Sequence, residues 1–208
     1  MNLNCQWNHN PDNNSFSLTE KKGFLRLKNN NIATNLLNAK NTLTIRTEGP
    51  KCNGYIKIDT KNMIVGDFAG LSAFQFNYGK VGVYVNDSGN KKIYMAKNGG
   101  YGSNTQIVDS NDKIIQEVDL KQDEVFLKVD FYFNDVDNNF NCLYNIDKVN
   151  FYYSLDENNW IKIGEELVMT YDLKMFTGYR FGIYSYPTKN VGGYVDIDYF
   201  KYERSAWN

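Results

Sequence analysis

Histidine is nearly missing from this chain: His9 is the only one among 208 residues. That excludes multi-histidine metal sites and argues against a histidine-based catalytic triad. Charge of either sign is missing as a net quantity. Lysine plus arginine is 23 and aspartate plus glutamate is 24, so the formal charge is 23 − 24 = −1. A nucleic-acid binder would normally carry a basic excess on one face, so no nucleic-acid partner is expected. Proline occurs three times, and cysteine three times, as Cys5, Cys52 and Cys142. An odd cysteine number without C-x-x-C spacing suits neither a disulfide framework nor a zinc site. Unpaired thiols are expected, and a Cys5–Cys52 pair stays open. No apolar run approaches the about 18 residues of a membrane span, so no membrane partner is expected. The stretch Met1 to Trp7 lacks a basic region and an apolar region, so no signal peptide is expected there. A chain of this length buries about 70% of its unfolded surface and needs no covalent staples.

What is present is aromatic and β-like. Sixteen tyrosines and thirteen phenylalanines bring aromatics to 15%. Period-2 alternation recurs along the chain and marks strands at 23–28, 54–59, 68–78, 81–85, 91–96, 114–120, 124–133, 148–154, 160–163, 180–186 and 193–202. Within 54–59 the isoleucines Ile56 and Ile58 point inward and Tyr55, Lys57 and Asp59 outward. Asp87-Ser88-Gly89-Asn90 is a turn signal, and Gly99-Gly100-Tyr101-Gly102 reads as a loop. Helical periodicity never holds for three turns. Asn31 to Lys40 is the best helix candidate, and Met169 to Phe176 has room for a single turn. More than ten strands with Gly and Asn turns imply an all-β, two-sheet sandwich or jelly roll. No linker, composition break or repeat divides the chain, so one domain over 1–208 is expected.

Strand phase sorts the side chains. In 124–133, Val125, Leu127, Val129, Phe131 and Phe133 share the core face, opposite Phe126, Lys128, Asp130 and Tyr132. In 180–186, Phe181 and Ile183 oppose Arg180, Tyr184 and Tyr186. In the last strand, Val195, Ile197 and Tyr199 share one face and Tyr194, Asp196, Asp198, Phe200 and Tyr202 the other. Faces mixing Tyr, Asp, Lys and Arg suit sugars, because rings cover C–H faces and charged groups bond hydroxyls. The same faces suit plain solvation or contact with another domain. Asp196 and Asp198 stand about 7 Å apart as i, i+2 neighbours, inside the window for paired glycosidase carboxylates. Any D-x-D strand gives that distance, and nothing splits their pKa values. A structural calcium held by Asp196 and Asp198 is more plausible than catalysis by the pair, while hydrogen-bonded or solvated acids remain the default reading.

A set of ordered segments then stands out. It runs through Gln6-Trp7-Asn8-His9-Asn10-Pro11-Asp12, Gly23-Phe24-Leu25-Arg26-Leu27, Leu36-Leu37-Asn38-Ala39-Lys40-Asn41-Thr42-Leu43-Thr44 and Gly66-Asp67-Phe68-Ala69-Gly70-Leu71. It continues through Phe151-Tyr152-Tyr153-Ser154-Leu155-Asp156, Trp160, Gly178-Tyr179-Arg180-Phe181-Gly182 and Asp196-Ile197-Asp198-Tyr199-Phe200. Each segment alone is weak, but their order spans nearly the whole chain. Together they resemble the C-terminal concanavalin A-like β-sandwich of family-43 glycoside hydrolases, which are β-xylosidases, α-L-arabinofuranosidases and relatives. The resemblance implies a concanavalin A-like jelly roll packed on a catalytic β-propeller that carries the catalytic acids. Nothing here resembles the propeller. The chain is therefore expected to be a non-catalytic domain that docks on it, helps shape its pocket for pentose-containing oligosaccharides, and presents Trp7 and His9 at the docking edge. The resemblance also implies a cytoplasmic setting, or an extracellular one if an upstream segment carries a signal peptide. The competing expectation is an independent lectin-like module whose groove is lined by Asp130, Arg180, Tyr184 and Tyr186.

Overall fold

The computed structural model describes residues 4–98, 112–133, 147–171 and 175–205. Fifteen strands follow one another in these residues: β1 Cys5–Trp7, β2 Phe16–Ser17, β3 Leu25–Lys28, β4 Leu43–Arg46, β5 Lys51–Asp59, β6 Asp67–Phe74, β7 Gly79–Val85 and β8 Lys91–Asn98, then β9 Asp112–Asp119, β10 Glu124–Tyr132, β11 Lys148–Ser154, β12 Ile161–Lys162, β13 Leu167–Val168, β14 Arg180–Pro187 and β15 Tyr194–Ser205. They form two antiparallel sheets. The first has seven strands in the order β1-β4-β14-β6-β7-β8-β9. The second has eight, in the order β12-β11-β10-β5-β15-β3-β2, with β13 beside β11. Among the described residues no helix is long and apolar enough to cross a membrane.

Alternation places the core between the sheets. From the second sheet come Leu27, Ile56, Ile58, Val125, Leu127, Val129, Phe131, Val149, Phe151, Val195 and Ile197; the first contributes Ala69, Leu71, Val81, Val83, Ile93, Phe181 and Ile183. All are buried. Cys52 sits in this core and Cys5 at its margin, both as free thiols.

Two expectations change. The stretch Asn31 to Lys40 is not a helix but holds one 3-10 turn, Leu36–Asn38, capped by the Asn35 side chain, which accepts from the Asn38 N–H. Of Ile32, Leu36 and Leu37, the large apolar residues of the stretch, only Leu36 is fully buried and Ile32 is exposed, so they do not form one apolar helical face. The described part of Met169 to Phe176 holds no turn of helix, and Gly99–Gly102 lies outside the described residues. The second change is in β15. Its pairing with β5 shifts between Ile197 and Tyr199, leaving Asp198 as the extra residue of a bulge. Beyond the bulge the phase flips. Phe200 and Tyr202 pack against the core, and Tyr199 turns outward to Tyr55 and Glu157.

Candidate functional site

The outer face of the first sheet carries the densest aromatic cluster. The register aligns Tyr184, Gly70, Gly82 and Tyr94 across four strands. The two glycines leave room for both tyrosines to lie over the sheet and meet at 2.8 Å between hydroxyls. A Cβ on Gly82 would stand 2.4 Å from the Tyr184 hydroxyl and 2.3 Å from the Ala69 carbonyl. Gly82→Ala is therefore expected to cost about 1–3 kcal/mol through overpacking, read as a lower urea midpoint at unchanged slope. The neighbouring row stacks Tyr186, Phe68 and Tyr84, with centroids 5.8 and 5.2 Å apart.

Lys80 lies inside this cluster and is wholly buried. Its ammonium bonds the Asp112 carboxylate and, at 2.5 Å, the Tyr186 hydroxyl. It sits 5.1 Å from the Tyr186 ring centre and 5.5 Å from those of Phe68 and Tyr184, distances at which ring quadrupoles attract a cation. Burial pulls the Lys80 ammonium down from its ordinary pKa, and Asp112 opposes that pull. Tyr78 donates its hydroxyl to Asp112 and accepts from the Leu36 N–H at 3.3 Å. The segment carrying Ala33, Leu36 and Ala39 closes over the cluster. The chain itself thus covers the face where a lectin-like groove was expected.

The expected groove is not assembled. Tyr184 and Tyr186 point outward as the alternation says, but they are buried at 0% and 3% exposure. Arg180 is on the same sheet, half-buried, and donates to Gln6 Oε1 at 2.5 Å and Thr44 Oγ1 at 3.3 Å. Burial, with Arg46 nearby, lowers its pKa. Asp130 is on the other sheet, in β10, so the core separates it from the other three.

Trp7 is half-buried, with its ring 4.8 Å from that of Phe16. His9 is exposed, and its Nε2 lies 2.6 Å from the Leu37 carbonyl; a carbonyl only accepts, so Nε2 carries the proton. Leu37 and Met175 both pack on the covered aromatic cluster. Gln75 holds the Met175 carbonyl at 3.4 Å. The next residue, Phe176, is 90% exposed. Sequence reasoning missed it because it lies between strands, where no alternation assigns a face.

Asp196 and Asp198 do not make a cation site. The Asp196 carboxylate, 2% exposed, accepts from Arg26 Nε at 2.8 Å and Nη2 at 3.0 Å, with Lys21 Nζ at 3.3 Å. Three positive donors already satisfy it, which leaves no place for calcium. Asp198 sits on the bulge with Lys57 at 3.8 Å. Among the described residues no group of three or more His, Cys, Asp or Glu side chains is arranged to hold a metal. Beside β1, the sheets open into a cleft of about 870 Å³ lined mainly by apolar side chains, including Leu18, Phe24, Leu25, Ile45 and Ile183.

The family described as "Beta xylosidase C-terminal Concanavalin A-like domain" matches residues 1–203. A β-xylosidase of Formosa agariphila is 25% identical over 95% of this chain and 32% of its own length. A bifunctional GH43-CE protein of Bacteroides eggerthii superposes with a TM-score of 0.85 at 44% identity, over 100% of this chain and 24% of that one. A GH43 glycoside hydrolase, whose active site was engineered to display both endo-xylanase and exo-arabinofuranosidase activity, superposes at 0.82 with 29% identity, over 96% of this chain and 38% of that one. The chain thus spans well under half the length of these relatives. In GH43 proteins this domain sits with a catalytic domain. With its two antiparallel sheets and a family match running almost from end to end, the chain belongs to the β-xylosidase C-terminal concanavalin A-like domains of family-43 glycoside hydrolases.

Proposed function

We propose that this domain docks on the catalytic β-propeller of a family-43 hydrolase and helps wall the pocket that receives pentose-containing oligosaccharides from xylan or arabinan. The observation that carries the reading is Phe176. A phenylalanine left 90% exposed buries nothing for its own fold. Its backbone is nonetheless anchored through Met175 to Gln75 and the aromatic cluster. A ring held out in this way suits contact with a second body. The Asp196–Asp198 pair is not free for acid catalysis, because Asp196 is consumed by Arg26 and Lys21. The covered first-sheet face speaks against an independent lectin. Free Cys5 and Cys52 support a reducing, cytoplasmic setting for the enzyme.

The test is Phe176→Ala in the hydrolase that carries this chain. The isolated domain should keep its stability to within about 0.5 kcal/mol, as expected for an exposed side chain. The whole enzyme should lose about tenfold in kcat/KM on nitrophenyl pentosides, equivalent to about 1.4 kcal/mol. Unchanged kcat/KM together with unchanged association of the two domains would refute the reading.

A further inference from the structure

We propose that the outer face of the second sheet holds a separate carbohydrate site, one sugar ring wide, centred on Asp130 and Asn150. The register sets Asn150, Asp130, Asn53 and Glu203 side by side on β11, β10, β5 and β15. The adjacent row is Tyr152, Lys128, Tyr55 and Lys201. Both rows face away from the core. Two oxygens in the first row, Asp130 Oδ1 and Asn150 Oδ1, are buried without a hydrogen-bond partner among the described residues. Asn150 is only 9% exposed. Buried acceptors left unsatisfied are costly and rare, so two on facing residues of paired strands call for an account. Burial also pushes the Asp130 carboxyl above its ordinary pKa; Lys128, with Nζ 3.8 Å away, opposes this, and Glu203 adds to it.

The surroundings say what would satisfy them. A groove of about 290 Å³ runs over Asp130, Asn53, Tyr132 and Glu203. Beyond Asp130, Lys128 is held between the rings of Tyr152 and Trp160, 4.7 Å from each centroid. Trp160 meets Tyr55 edge-on at 5.3 Å. Two acceptors on facing residues of paired strands call for two donors on one small body, and vicinal hydroxyls provide them. The apolar C–H face of the same ring would lie on Tyr132 or Tyr152. A hard cation fits less well: it wants six or more oxygens, and Lys51 and Lys128 stand close by. This site lies on the domain's own surface and does not depend on docking, so it is testable even if the docking reading fails.

The experiment is titration of the isolated chain with xylotriose, xylohexaose and arabinotriose, followed by amide chemical shifts and calorimetry. Binding in the millimolar range or tighter is expected, with shifts concentrated on β10 and β11. Asp130→Leu should abolish it, and Tyr152→Ala should weaken it at least tenfold with the thermal midpoint monitored in parallel. Affinity should fall on acidification, because protonation removes an acceptor from Asp130. No shift with any of the three sugars at 10 mM, a value on the order of the weakest affinities a site of this kind would show, would overturn the proposal. So would unchanged binding in Tyr152→Ala, or saturation of the same residues by calcium chloride alone.

Discussion

Asp112→Ala is expected to destabilise the domain by about 3–5 kcal/mol, the cost of stranding a buried charge. Lys80 is wholly buried and, among the described residues, has one carboxylate partner, Asp112. Without it, the ammonium keeps, among the described residues, the Tyr186 hydroxyl and the surrounding rings. Tyr78 loses its acceptor as well, which loosens its hold on Leu36 and the covering segment. A typical domain has about 5–15 kcal/mol in total, so the variant should be near its folding limit at neutral pH. The pH dependence follows from the direction of the Lys80 shift. Burial lowers its folded pKa below the unfolded value of about 10.4. Between the two values the unfolded chain binds the extra proton, so stability rises with pH there. Asp112→Ala should therefore recover part of its loss as pH climbs from neutral towards about 10, within the window below the unfolded lysine pKa. Urea midpoints over that range at constant slope are the measurement. Lys80→Met with Asp112→Leu should fold about as well as the parent, because both charges leave together. Equal midpoints for Asp112→Ala and the parent would show that the ion pair does not hold this face.

The second large effect is at Arg26. Arg26→Ala removes two of the donors that hold a carboxylate only 2% exposed. Lys21 remains at 3.3 Å, so the loss should fall at the lower end for a broken buried pair, about 3 kcal/mol. The guanidinium also stacks 4.1 Å over the Tyr194 ring, a contact that goes with it. Calcium provides the counter-test. Neither calcium chloride nor a chelator should move the thermal midpoint of the parent domain. A midpoint that rises with calcium concentration would mean that a cation binds the folded state and that Asp196 is not consumed by its own arginine.

The fold was legible where alternation is uninterrupted. In β10 every second residue is Val, Leu or Phe, and in β5 Ile56 and Ile58 follow Cys52 and Gly54 on one face; those residues are buried. It was not legible in β15, because one extra residue reverses all that follows. The run from Tyr194 to Tyr202 reads smoothly in either phase, since aromatic side chains suit both faces. Tyr184 and Tyr186 show a different limit. Their outward direction was readable from β14, but their burial depends on Ala33, Leu36 and Ala39, distant in sequence. Lys80 and Asp112 pair across an intervening strand, since β8 lies between β7 and β9. No local pattern announces such a pair. The family was readable for the opposite reason: its signature is an order of short segments along the chain, which needs no contact map.

The place of β15 has a consequence for synthesis on the ribosome. It lies between β5 and β3 and joins them into one sheet. Those two strands are made early and then wait through more than a hundred residues of translation for the strand that joins them. Until it emerges, the nascent chain offers two unpaired strand edges and half of the core to any other β-rich segment nearby. A chain ending before Tyr194 would have a second sheet split in two, with β5 and β3 left without the strand that joins them.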